Sequence, residues 1–136
     1  MTEKMLEELL SVAKQAREES YSPYSKFSTG AAVLTEERRV FSGANIENSS
    51  YGLTICAERV AIYKAVAAGY RDFKALIVIA DTEKPVSLCG ACRQVLLEFG
   101  QDIIVFMANL KGDIKKSTSG ELLPGGFSGK DINNGL

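Results

Sequence analysis

Ala75-Leu76-Ile77-Val78-Ile79-Ala80 is an unbroken apolar run with turn residues on either side, the pattern of a strand buried on both faces of a sheet. A second such run, Ile103 to Ala108, follows after a segment with helical character from about Gly90 to Phe99. Strand, helix and strand in that order imply a parallel pair at the centre of a sheet, with the connecting helix laid over one face. Upstream, Gly30 to Thr35 and Arg39 to Gly43 read as two short strands joined by the polar Glu36-Glu37-Arg38, hence an antiparallel hairpin. Downstream, the turn Asn109-Leu110-Lys111-Gly112-Asp113 leads into an edge strand, Ile114 to Thr118.

Helices fill the gaps between these strands. From Glu3 to Ser20, Leu6, Leu9, Leu10, Ala13 and Ala16 form one apolar stripe, with Thr2 as N-cap. Ile55 to Ala68 is alanine-rich and stops at Gly69. A short helix over Gly120 to Leu123 is closed by Pro124 and Gly125. The expected fold is therefore α/β: a three-layer α/β/α sandwich around a five-stranded mixed sheet. The 136 residues form a single domain, 1–136. Residues 125–136 are expected to be a poorly ordered glycine-rich tail, although Phe127 in it needs somewhere to pack.

Composition narrows the function. The net charge of -1 provides no basic field for a polyanion, so nucleic acid is not an expected partner. No apolar run reaches the length of a membrane span, and the amino-terminal helix carries Glu3, Lys4, Glu7 and Glu8, so a cytoplasmic chain is expected. There is no histidine, which rules out Ser-His and Cys-His dyads and leaves acid-base work to a carboxylate, lysine or tyrosine.

The chemistry gathers on three cysteines, an odd number that suits a reducing compartment. Cys56-Ala57-Glu58-Arg59 opens one helix pattern, and Cys89-Gly90-Ala91-Cys92 opens the next. Cys89 and Cys92 share one face of a first turn, and two positive helix ends would favour thiolates near one cation. Three sulfur ligands are one short of a closed structural zinc site, which matches a catalytic zinc with a position kept for water. Arg59 is placed to donate to the sulfurs and offset their charge. Each half of the pattern has an ordinary reading as well. A C-x-x-C also serves redox pairs, and buried cysteines are often small apolar fillers. A non-catalytic zinc module is a further alternative, with a carboxylate such as Glu58 as fourth ligand.

Asn45-Ile46-Glu47-Asn48, the Cys56 motif and Pro85-Val86-Ser87-Leu88-Cys89-Gly90-Ala91-Cys92-Arg93-Gln94-Val95 closely resemble the small zinc-dependent cytidine deaminases of pyrimidine salvage. Similarity also covers Pro23-Tyr24-Ser25-Lys26-Phe27 and Glu121-Leu122-Leu123-Pro124. The resemblance implies the cytidine deaminase fold and hydrolysis of cytidine and deoxycytidine to uridine and deoxyuridine with release of ammonia. It implies one zinc per subunit on Cys56, Cys89 and Cys92, with Glu58 as the proton carrier. Asn45, Ile46, Glu47, Phe27, Ala57 and Phe127 are implied to bind substrate, Phe127 in a neighbouring subunit's site within a homotetramer. Without the resemblance, Asn45 reads as a turn former, Glu47 as a solvated acid and Phe27 as core; Tyr24 and Tyr51 could line the cleft or simply pack. A cytosine-bearing antibiotic nucleoside, or a base within RNA, are alternative substrates. One departure is Leu88, where the family pattern has proline; losing that fixed torsion is expected to loosen entry into the helix.

Overall fold

The computed structural model describes residues 1–133. The elements are α1 (Glu3–Arg17), β1 (Thr29–Thr35), β2 (Val40–Ala44), a 3-10 turn (Tyr51–Leu53), α2 (Ala57–Ala67), β3 (Phe73–Ala80), α3 (Gly90–Leu97), β4 (Ile104–Asn109), β5 (Ile114–Thr118), α4 (Ser119–Leu122) and α5 (Gly129–Asn133). The strands form one sheet in the order β2-β1-β3-β4-β5. Only β3 and β4 run parallel, with Ile77 opposite Phe106, and the other pairs are antiparallel.

Alternation along the strands divides the core in two. Ala32, Leu34, Ile77, Ile79 and Phe106 face Leu9 and Ala13 of α1. Ala31, Val33, Leu76, Val78 and Met107 face Ala61 and Ile62 of α2 and Cys92 and Leu96 of α3. Helices therefore cover both faces, as the two apolar runs predict. β1 is buried along its whole length because it lies between β2 and β3, so it is an interior strand and not merely half of a hairpin. Thr2 caps α1 by accepting from the Met5 amide at 3.1 Å.

Two glycines set how closely the outer layers approach. A Cβ on Gly30 would lie 2.0 Å from the Ala13 carbonyl oxygen, and one on Gly43 would lie 2.5 Å from that of Ala57 and 2.6 Å from the Ala61 nitrogen. Backbone on backbone leaves no side chain free to swing away. Gly43→Ala is expected to destabilise the fold by about 1–3 kcal/mol, seen as a thermal midpoint lowered by roughly 5–15 °C. An unchanged midpoint would show that α2 can shift outward at no cost.

The tail departs from expectation. Residues 129–133 form α5, and the Asp131 carboxylate accepts from the Ser128 amide at 2.7 Å. That is one half of a capping box, and Ser128-Gly129-Lys130-Asp131 carried the signal beneath the glycines. The last three residues of the predicted tail, 134–136, lie outside the described residues. Among the described residues no helix is long and apolar enough to cross a membrane.

Candidate metal centre and active site

The topology brings the two cysteine motifs together. β2 and β3 both run antiparallel to the intervening β1, so their carboxyl ends lie at the same edge of the sheet, where Ala44 stands opposite Gly30 and Ala80 opposite Thr29. The chain leaving β2 enters α2 at its N-cap Cys56, and the chain leaving β3 enters α3 at its N-cap Cys89. Both helix amino termini therefore point their free amides at that edge.

There the Cys56 and Cys89 sulfurs are 3.7 Å apart and those of Cys89 and Cys92 are 3.5 Å apart. All three lie within 4.8 Å of one another, and no carboxylate oxygen joins the group among the described residues. Two sulfurs at ~2.3 Å from a tetrahedral zinc would be about 3.8 Å apart, so this donor set fits the ion. Cys89 Sγ also accepts from the Cys92 amide at 3.4 Å, which caps α3. Arg59 Nη2 donates to Cys56 Sγ at 3.5 Å, while its buried Nε has no partner among the described residues. Hydrogen bonding to Cys56 raises the Arg59 pKa, so the guanidinium is a fixed positive charge beside the sulfurs.

Titration follows from these contacts. Hydrogen bonding with Cys92 pulls the Cys56 thiol down to about 5, with Arg59 assisting against the cost of burial. The same bond to Cys56, with burial, pushes Cys92 up. The proton that Cys92 keeps must leave before three thiolates can act as ligands. Glu58 sits in the first turn of α2 and is only 4% exposed. Burial pushes its carboxyl up to about 7, the Cys56 charge adding to this and the Glu58 backbone amide opposing it. A carboxyl poised near neutrality can both take and give a proton.

A cleft of about 210 Å³ opens onto this corner, lined by Phe27, Asn45, Cys56, Glu58 and Cys89. Thr29, Thr54, Ile55, Val86 and Ser87 complete its walls. Val86 and Ser87 lie in the stretch leading into Cys89, whereas no motif had singled out Thr29 or Thr54. Phe27 is exposed at the rim and not part of the core. Ala57 is fully buried behind the cleft, and the Ile46 side chain is exposed while its backbone pairs with Tyr21 and Ile55. Glu47 faces an adjoining hollow of about 260 Å³ with Tyr24, Ser25 and Tyr51, and Thr54 borders both spaces. The Tyr24 and Tyr51 rings pack with centroids 5.6 Å apart there. Phe127 does not line the cleft of its own chain; Gln94 Nε2 donates to its carbonyl at 2.7 Å and its ring is half exposed.

Asn45 and Glu47 already have local work. Asn45 Oδ1 accepts from Ser20 Oγ and the Thr29 amide, and its Nδ2 donates to the Phe27 carbonyl at 2.7 Å. One amide N–H therefore remains for another partner. The Glu47 carboxylate accepts from the Tyr24 and Ser25 amides and from the Ser25 hydroxyl, and the hydroxyl bond above all holds its pKa below the usual value. The backbone at Leu88 is held by contacts instead of by a proline ring: its side chain is in the core and its carbonyl accepts from Arg93 Nε at 2.9 Å.

Comparison with known proteins bears on this geometry directly. Residues 3–108 match the pattern of the cytidine and deoxycytidylate deaminase zinc-binding region. The chain belongs to that family. It is 56% identical over 128 residues to a cytidine deaminase of Sporosarcina psychrophila, covering 93% of this chain and 94% of that one. A cytidine deaminase of Halalkalibacterium halodurans is 54% identical over 127 residues, covering 93% and 96%. Among solved structures, a cytidine deaminase from Burkholderia pseudomallei superposes with a TM-score of 0.88 at 47% identity, covering 93% of this chain and all of that one. The sheet and its helices are thus the α/β architecture of this deaminase family, and zinc is the metal that suits the sulfur cluster.

Proposed function

We propose that the protein hydrolyses the amine of cytidine and deoxycytidine, releasing ammonia and leaving uridine and deoxyuridine for pyrimidine salvage. The observation that carries this reading is the sulfur triad at two helix heads with the buried Glu58 beside it, at the wall of a cleft sized for a small ring. Zinc held by Cys56, Cys89 and Cys92 would supply Lewis acidity that lowers the pKa of a water. Glu58 takes a proton from that water and delivers it to the pyrimidine ring nitrogen, while the oxygen bonds to the ring carbon that bears the amine. Breaking of the carbon–amine bond then needs a proton on the leaving nitrogen, which Glu58 delivers from the same water. Water adds, ammonia departs, and the carboxylate returns to its starting state.

The free N–H of Asn45 and the remaining acceptor capacity of Glu47 suit sugar hydroxyls, and Phe27 offers a face to the base. Ala57, between the lining residues Cys56 and Glu58, and Ile46, whose backbone pairs with Ile55, would contribute by holding those neighbours in place. The direct test is to incubate purified protein with cytidine and with cytosine, following ammonia and the ultraviolet change to the uracil ring. Turnover of cytidine well above that of the free base is expected, and no ammonia from the nucleoside would overturn the proposal.

A homotetramer in the cytoplasm fits the same reading. Tyr51, in the hollow beside the cleft, is 73% exposed and Leu53 71%, while Phe27 at the rim, Ile46 and Phe127 are each about half exposed. Apolar side chains gathered near a site mark a surface that another copy covers. Three reduced thiols are also best kept in a reducing compartment. Phe127 from one subunit would close a neighbour's cleft. Phe127→Ala is expected to raise KM about tenfold, the equivalent of ~1.4 kcal/mol, with the assembly unchanged by light scattering. An unaltered KM would remove Phe127 from the site.

A further inference from the structure

We infer that Arg93 is a positioning residue for the metal-binding loop: its guanidinium fixes the Ser87-Leu88 backbone that delivers Cys89 and ties that segment to α4. This rests on the three cysteines being zinc ligands. All three guanidinium nitrogens are used, Nε donating to the Leu88 carbonyl at 2.9 Å, Nη2 to Ser87 Oγ at 2.8 Å and Nη1 to the Leu122 carbonyl at 2.8 Å. The planar guanidinium presents its donors in a rigid fork, so engaging three separate acceptors fixes their mutual geometry.

The placement of these bonds is what gives them consequence. Arg93 directly follows Cys92, and Leu88 directly precedes Cys89, so the fork closes around the C-x-x-C from both ends. The ladder of α3 begins with the Arg93 amide donating to the Cys89 carbonyl, which leaves the Leu88 carbonyl outside the helix. Without Arg93 that carbonyl would need another donor beside the buried Leu88 side chain. None of the three bonds reaches a sulfur, so Arg93 acts through the loop. Groups that orient metal ligands in this way commonly change metal affinity by about 10- to 100-fold.

A plainer role would be to pin the C-terminal segment to α3, and the neighbouring residue separates the two. Gln94 also holds that segment, at the Phe127 carbonyl, but makes no bond to Ser87 or Leu88. The experiment follows transfer of zinc from the loaded, full-length protein to an excess of chromogenic chelator, for wild type, Arg93→Gln, Arg93→Lys, Gln94→Ala and Ser87→Ala. Arg93→Gln is expected to release zinc about 10- to 100-fold faster, and Arg93→Lys to recover part of the loss, because an ammonium reaches some of the three acceptors. Gln94→Ala should stay within about twofold of wild type. If Arg93→Gln fails to fold, Ser87→Ala, which removes one bond, is expected to speed release by about threefold. Release from Arg93→Gln at the wild-type rate, equal acceleration by Gln94→Ala, or no effect of Ser87→Ala where Arg93→Gln does not fold would each overturn the inference. Wild-type protein carrying no zinc would instead overturn the metal reading on which it rests.

Discussion

Glu58→Gln is expected to lower kcat for cytidine by about 10²- to 10⁴-fold while zinc stays bound at one per chain. Glutamine fills the same space and keeps a hydrogen-bonding end, but it cannot accept and return a proton. In energy terms the loss is roughly 3–5 kcal/mol of barrier, at 1.36 kcal/mol for each factor of ten. It should fall on kcat and not on KM, because the proton is shared only as the reaction proceeds. Unfolding would not explain such a loss, since burial already penalises a charge at this position and a neutral amide is the easier group to bury there. The measurement is metal content by mass spectrometry alongside uridine formation. A zinc-loaded variant turning over within tenfold of wild type would remove Glu58 from the chemistry.

How far the sequence reaches depends on whether the information is local. β3 and β4 were legible because a strand buried on both faces must be apolar at every position, and Leu76 to Ile79 and Val105 to Ala108 are. The sulfur triad was legible because two helix starts each carried cysteine, and because a sheet with helices on its faces returns helix heads to one edge. β1 was harder to place. Thr29-Gly30-Ala31-Ala32 is made of small residues, and only the approach of α1 to Gly30 explains why nothing larger stands there. The Arg93 fork was not legible, since its acceptors lie 5, 6 and 29 residues away and follow no period. Asn45 was placed at the site through resemblance, but its ties to Ser20, Phe27 and Thr29 emerge only once β1 and β2 pair.

Cys89 is both a sulfur of the triad and the N-cap of α3, so changing it to alanine or to serine separates metal binding from helix capping. Either change leaves two thiolates, and serine's hard, high-pKa hydroxyl is a poor replacement for a soft ligand. Both variants are expected to lose stoichiometric zinc and to drop to background deamination. In wild type, zinc at a hundred times its dissociation constant should add about 2.7 kcal/mol of stability, a shift of the thermal midpoint that both variants lack. The metal-free proteins then diverge. Alanine removes the acceptor for the Cys92 amide, 3.4 Å from the sulfur, whereas serine is among the better N-caps. Cys89→Ala without metal should therefore be about 1 kcal/mol less stable than Cys89→Ser by urea unfolding in chelator. Equal metal-free stabilities would show that the sulfur does not cap α3, and one zinc per chain in Cys89→Ala with near-normal turnover would show that Cys89 is not needed to hold the ion.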